Sequence, residues 1–164
     1  MLTTLFHPQI SDWFDERYGR PTDVQSRSWP EIARLRHLLI TAPTGSGKTL
    51  TAFLWALNEF TTGNLKTGST RVLYISPLKA LNNDIQRNLL APLSELETRL
   101  KNMELAFPQI KVQIRYGDTP QGERQRMLRD PPEILITTPE SLTLMLTNAR
   151  ARHALASVST VIFD

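Results

Sequence analysis

The chain has no cysteine among its 164 residues. That excludes disulfides, thiolate-held zinc and iron–sulfur clusters. No apolar run approaches the ~18 residues that a membrane-spanning helix requires. Residues 1–13 carry no basic stretch followed by an apolar core, so no secretory leader is expected, no membrane partner is expected, and a cytoplasmic protein is the reading. Repeats and low-complexity segments are lacking too. The three histidines, His7, His37 and His153, stand at no metal-binding spacing. An excess of one charge is small: 19 basic against 16 acidic residues give +3, with a pI near 9.5. Such a balance permits contact with nucleic acid without requiring it. Hydrophobic content of 40% and charged content of 21% describe one globular domain with a substantial core.

Glycine is scarce, at seven residues, yet two fall in Ile40-Thr41-Ala42-Pro43-Thr44-Gly45-Ser46-Gly47-Lys48-Thr49. An apolar run, Leu38-Leu39-Ile40, precedes this stretch and an amphipathic segment comes after it, so strand, phosphate loop and helix are expected. Gly45 and Gly47 permit backbone angles that turn successive N–H groups inward. Those amides, with Thr44 and Ser46 between and beside the glycines, lie at the positive end of a helix and suit a β-phosphate. Lys48 is placed to reach the β- and γ-phosphates of a nucleotide, and the Thr49 hydroxyl to hold Mg²⁺. Ala42 stands where the general pattern has glycine.

Before the loop, residues 3–18 read as a helix with Leu5, Ile10, Trp13 and Phe14 on its apolar side. Thr22 and Gln25 have capping-box spacing at the start of a second helix, whose Val24, Trp29, Ile32 and Leu35 follow a core period. Gln25 has two readings on spacing alone: a cap for its own helix, or an amide that reads the adenine edge. After the loop, Leu50 to Phe60 continues as helix. Further strands are expected at Val72–Ile75, Val112–Tyr116, Ile134–Ile136 and Val161–Phe163. Helices are expected from Leu78 to about Leu100, bent at Pro92, from Gln121 to Arg129, and from Thr138 onward. This alternation predicts an α/β fold with a mostly parallel sheet and helices on both faces. Loops after the strands then share one edge, the ligand-binding edge of such sheets. The phosphate loop, Ser76-Pro77-Leu78, Gly117-Asp118-Thr119 and Thr137-Thr138-Pro139 are all expected there. Thr138 is an N-cap with Pro139 at the first helical position; the amides beyond are either satisfied by Thr138 or free for a phosphate. Lys79 has the same two readings, phosphate contact or solvated cation. The arginines at 124, 126 and 129 read as a solvated helix face. Asp164 comes directly after an apolar strand, where P-loop enzymes keep a carboxylate that holds Mg²⁺ through water.

Taken together, Tyr18…Pro21-Thr22…Gln25, Ala42-Pro-Thr-Gly-Ser-Gly-Lys-Thr49, Ser76-Pro-Leu-Lys-Ala-Leu81, Gly117-Asp-Thr-Pro120 and Thr137-Thr-Pro-Glu-Ser-Leu142 resemble superfamily 2 helicases of the DEAD/DEAH-box type. The similarity is closest to the large helicase-related (Lhr-like) branch, and it runs through almost the whole chain in order. It implies a first RecA-like domain, with residues 1–36 as N-terminal helices bearing a Q-motif-like segment and residues 37–164 as a P-loop α/β core. ATP and Mg²⁺ are the implied cofactors. Gln25 becomes an adenine reader, Lys48 and Asp164 become catalytic, and Thr49 and Asp164 become Mg²⁺ residues. Segments 76–81, 117–120 and 137–142 correspond to motifs that track one nucleic-acid strand, through Pro77, Lys79, Gly117, Asp118, Thr138, Pro139 and Glu140. The partner is single-stranded DNA or RNA, or a DNA–RNA hybrid.

The resemblance also implies elements that do not come after Asp164 in this sequence: a Glu-x-His continuation of the Walker B strand, the next strand, and a second RecA-like domain with its arginine finger. That next strand would lie between the phosphate-loop strand and the Asp164 strand, so a gap in the sheet is expected. The expected activity of the parent is ATP-driven translocation and strand separation, while the 164 residues alone are expected not to turn over ATP. Two alternatives stay open. One is a different P-loop enzyme, such as a small-molecule kinase, although no Arg-rich lid is found after the third strand. The other is a non-catalytic remnant that binds nucleotide or nucleic acid.

Overall fold

Helical spacing of apolar residues in the amino-terminal third produces α1 (Pro8–Tyr18), α2 (Asp23–Ala33) and α3 (Lys48–Thr61). The computed structural model describes residues 4–77 and 82–164, with the backbone alone at residues 82 and 83. Helix α1 starts at Pro8 and not at residue 3, because a proline at the first position has no helical amide bond to lose. Phe6 and Phe14 meet Trp29 edge-on at ring separations of 4.8 and 5.5 Å. The Trp29 indole donates to the Thr51 carbonyl at 3.0 Å, joining α2 to α3. Of the expected core residues of α2, Trp29 is buried, whereas Leu35 is 86% exposed. The helix ends at Ala33 and Leu35 turns left-handed, with φ 58°, so its side chain leaves the apolar stripe.

Downstream, α4 (Asn82–Ile85), a π turn over Gln86–Leu90 and α5 (Ala91–Asn102) run on continuously. The irregularity expected at Pro92 lies in the turn before it. Proline has no amide to donate and its ring crowds the carbonyl four residues back. The wider turn, closed by the Ala91 amide on the Gln86 carbonyl, relieves that contact. Helix α5 is tied to α1 by polar bonds: the Trp13 indole donates to Glu95 at 2.9 Å, and the Arg99 fork spans the Glu16 carboxylate at 2.6 and 2.9 Å. These helices make one compact unit, Met1–Thr62 with Asn83–Phe107.

The second unit, Gly63–Asn82 with Pro108–Asp164, holds the sheet. Strands β1 (Val72–Ile75), β2 (Val112–Arg115), β3 (Ile134–Thr137) and β4 (Thr160–Phe163) are all parallel, in the order β2-β3-β1-β4. Central β1 and β3 are buried along their whole length, as their unbroken apolar runs require. Leu73, Ile75 and Leu135 share one face and pack with Met145 of α7 (Pro139–Thr147) and Ala151 of α8 (Ala149–Leu155). Leu128 of α6 (Gln121–Arg129) closes the side of this cluster.

The expected α/β class and parallel sheet are present, but with four strands where the sequence predicts five. Among the described residues Leu38-Leu39-Ile40 enters no ladder, and Leu39 is 91% exposed. A strand without a partner row leaves its amides and carbonyls to water and gains no sheet bonds. Strand β4 is correspondingly an edge, with Val161 and Phe163 exposed on its side. The expected gap needs a phosphate-loop strand on its far side, and among the described residues none forms, so β4 is an open sheet edge and not one side of a gap.

One buried carboxylate aligns the strand entrances. Glu133 is 1% exposed and accepts the Gly68 and Lys111 amides, both at 2.7 Å. Its carbonyl accepts the Arg71 and Val72 amides at 2.9 and 3.0 Å. Glu133→Ala strands two amides, each costing about 1–3 kcal/mol. A lower urea midpoint at unchanged slope is expected, with a smaller loss for Glu133→Gln, which keeps one acceptor. Equal midpoints for wild type and Glu133→Ala would contradict this role.

Candidate nucleotide-binding loop and sheet-edge site

The phosphate loop is built as its residue types demand. Gly45 and Gly47 are left-handed, with φ 82° and 87°, and Gly47 is the N-cap of α3 with no side chain capping the helix. The first-turn amides of a 14-residue helix therefore remain available to a ligand. The Ser46 hydroxyl is buried with no hydrogen-bond partner. The Lys48 ammonium donates to the carbonyls of Ala42 and Pro43, at 2.5 and 3.0 Å, and so arches over the loop. Thr51 anchors the base of the loop: its amide and hydroxyl reach the Gly47 carbonyl at 2.9 and 2.7 Å. Left-handed glycines, an uncapped helix start and an orphaned hydroxyl fit a polyphosphate.

Thr22 and Gln25 form the capping box. The Thr22 hydroxyl accepts the Gln25 amide at 3.3 Å, and the Gln25 side-chain oxygen accepts the Thr22 amide at 2.9 Å. The structure adds a connection that spacing does not reveal. The same Thr22 hydroxyl donates to the Ser46 carbonyl at 2.9 Å. The Gln25 side-chain nitrogen lies so close to Gly47 that a Cβ there would come within 2.7 Å of it. Gln25 is 3% exposed, so the cap of α2 is also a wall of the phosphate loop.

In the sheet unit, parallel strands bring the segments after β1, β2 and β3, and Asp164 after β4, to one edge. The Asp164 amide donates to the Ile75 carbonyl at 3.0 Å, and its carboxylate accepts the hydroxyl of the buried Tyr74. By sequence Tyr74 is only one member of an apolar run; a buried tyrosine in such a run needs a partner for its hydroxyl, and that is the available signal. Arg124, which the sequence places on a solvated face, donates to the Thr119 carbonyl at 2.7 Å and to the Gly117 carbonyl, pinning the Gly117-Asp118-Thr119 turn. Pro77 is exposed at this edge. Lys79, together with Leu78, Ala80 and Leu81, lies outside the described residues.

Thr138 caps α7 by accepting the Ser141 amide at 3.3 Å. Pro139 has no amide, and the Glu140 carboxyl is held below its ordinary value first by its own backbone amide and then by the Thr138 hydroxyl. The Ser141 amide is thus bonded to Thr138 and the Glu140 amide to its own carboxylate. The phosphate loop and Asp164 belong to different units. Among the described residues no three His, Asp or Glu side chains gather as a metal site. No helix among the described residues is long and apolar enough to cross a membrane.

Gly47→Ala should lower the urea midpoint, since a left-handed alanine costs about 1–2 kcal/mol and its methyl meets Gln25. Combining it with Gln25→Ala should cost less than the sum of the two single losses, because the collision disappears. Strict additivity in the double-mutant cycle would show that the two side chains do not touch.

Comparison with known proteins agrees with this geometry. The DEAD/DEAH box helicase family model matches residues 22–164. The Lhr helicase/uracil glycosylase of Escherichia coli is 48% identical over 171 residues, covering 100% of this chain and 11% of that protein. The ATP-dependent helicase Lhr-Core of Sulfolobus acidocaldarius is 43% identical, covering 98% of this chain and 18% of its own length. The chain therefore spans between a tenth and a fifth of these relatives. A solved structure of Mycobacterium smegmatis helicase Lhr bound to ssDNA and AMP-PNP superimposes with a TM-score of 0.88 at 46% identity, over 97% of this chain and 20% of that one. The yeast DEAD-box splicing factor Prp28 shares the fold, with a TM-score of 0.78 at 21% identity, over 99% of this chain and 37% of that one. On the match through residues 22–164, the chain belongs to the DEAD/DEAH box helicase family.

Proposed function

We propose that the chain is the nucleotide-binding part of an ATP-dependent helicase, lying within a first RecA-like domain. The observation that carries this reading is the phosphate loop: two left-handed glycines, an uncapped α3 and the ammonium of Lys48 over its mouth. Main-chain amides at a helix start hold a β-phosphate without a buried counter-charge. Lys48, released from the two carbonyls, neutralises the β- and γ-oxygens, and Thr44 to Gly47 supply the cradle. Thr49 would be a hydroxyl ligand of Mg²⁺ and Asp164 a carboxylate that holds it through water, and the ion would supply charge neutralisation for the phosphoryl group. Gln25 reads adenine, its amide offering one donor and one acceptor from a position already fixed against Gly47.

The edge beyond the strands is the proposed track for a nucleic-acid strand, formed by Pro77, Lys79, Gly117, Asp118, Thr138, Pro139 and Glu140. Small polar side chains and main-chain groups suit a sugar–phosphate backbone better than base edges. The single strand held by the M. smegmatis protein supports DNA; RNA and DNA–RNA hybrids carry the same phosphates and belong to the same reading. Coupling to strand separation calls for a second RecA-like domain, and a cytoplasmic setting supplies both ATP and nucleic acid.

Calorimetry with Mg-ATP should give a saturable signal that Lys48→Ala weakens about ten- to a hundredfold, the range of one charge-assisted hydrogen bond. Gln25→Glu separates the two roles of that residue. The carboxylate still accepts the Thr22 amide and keeps the cap, but it cannot donate to adenine. Loss of ATP-over-GTP preference is expected, with a somewhat lower melting temperature from the buried charge. Unchanged preference would leave Gln25 a cap only, and the absence of any Mg-ATP signal from folded wild type would remove the proposal.

A further inference from the structure

Helices α6 and α8 cover one face of the sheet, and the seam between them is a groove of about 570 Å³. Its lining is Gln125, Leu128, Arg129, Ala149, Arg150 and His153. Spacing explains the arrangement: Gln125 and Arg129 are four apart on α6, and Arg150 and His153 are three apart on α8, so each pair shares a helical face. Among the described residues no carboxylate lines the groove. The acidic neighbour Asp130 is already paired with Lys111, and Arg129 and Arg150 have no ion pair among the described residues.

Beneath the groove, a cavity of about 10 Å³ is walled by Met127, Met145, Leu155 and the same Leu128. Arg115 of β2 lines it as well, 8% exposed. Its Nε has no hydrogen-bond partner, and no carboxylate pairs with it among the described residues. Burial, and after it the neighbouring Arg124 charge, lower the affinity of Arg115 for its proton. Arg115 thus lines the cavity that shares Leu128 with the groove, and Arg129 and Arg150 stand at the groove itself.

We propose that the α6–α8 groove docks an acidic peptide segment, one apolar side chain resting on Leu128 and Ala149 with flanking carboxylates held by Arg129 and Arg150. Guanidinium forks match carboxylates in pairs of parallel bonds, and acidic motifs are recognised by arginine clusters of this kind. One feature disfavours a nucleic-acid strand in this groove. Its α6 wall ends at Arg129, shortly before β3 begins, and so lies toward the end of the sheet away from the edge proposed to track nucleic acid.

The test needs neither ATP nor the phosphate loop, so its outcome is separate from that of the helicase reading. A dye-labelled peptide of alternating glutamate and aspartate around a central leucine is titrated with the 164-residue chain, and anisotropy is read. Labelled oligo-dT is titrated in parallel. Binding of the peptide is expected, weakening as salt is raised. The doubly charge-reversed variant Arg129→Glu/Arg150→Glu should lose about tenfold or more, and Arg129→Lys/Arg150→Lys, which keeps both charges but not the forks, should lose less than that. Both arginines are exposed, so circular dichroism should be unchanged. A peptide that does not bind, or that the charge-reversed variant binds as well as wild type, overturns the proposal. Loss of oligo-dT affinity in that variant without loss of peptide affinity also overturns it and makes the groove a nucleic-acid contact.

Discussion

The contact of the Gln25 amide with Gly47 is the constraint on which the amino-terminal unit turns. Only a residue without a side chain fits at position 47, on grounds of backbone angle and of the space Gln25 occupies. The absence of that side chain lets α3 begin at the loop with its amides uncapped. Thr22 completes the join, its one hydroxyl accepting from its own helix and donating to the Ser46 carbonyl. A helix cap and a phosphate cradle therefore share atoms. A change in one is felt in the other through direct contact, with no intermediary needed.

The sheet unit solves a different problem, that of holding a polar edge on an apolar core. Its two central strands are wholly buried and contribute no side chain to solvent, so the edge is made by the loop at the carboxyl end of each strand. Three side chains outside the loops hold the strand ends in place. Tyr74 reaches the Asp164 carboxylate from within β1, Arg124 pins the turn after β2, and Glu133 gathers the strand entrances at the opposite end. Thr138 does the same for α7, accepting the Ser141 amide. The edge is thus pre-shaped by buried or half-buried polar bonds, each of which would be costly to leave unmade in a dry interior.

Much of this is legible in the chain itself, though unevenly. Phosphate-loop chemistry comes from local backbone requirements, and Gly45, Gly47 and Lys48 sit as those requirements say. The Thr22–Gln25 box is likewise a short-range device. Strands β1 and β3 declare themselves as unbroken apolar runs. The Leu38–Ile40 run looks the same and forms no strand, because an apolar run shows only the capacity for a strand, while the ladder needs a neighbour. Leu35 keeps a helical period beyond the point where its helix stops. Arg124 is indistinguishable from Arg126 and Arg129 by sequence, since which arginine reaches the loop depends on where α6 lies against β2.

What the sequence alone determined is whatever depends on bonds between residues a few positions apart: the caps, the loop that suits phosphate, the apolar runs and the proline-driven helix start. Such features are set by backbone sterics and by donors and acceptors that are near each other in any conformation. What only the tertiary structure decided is which distant groups meet: Gln25 against Gly47, Tyr74 on Asp164, and the arginines of α6 and α8 facing one another across a groove. Those encounters are fixed by packing, which selects among many pairings that the chain order leaves equally open.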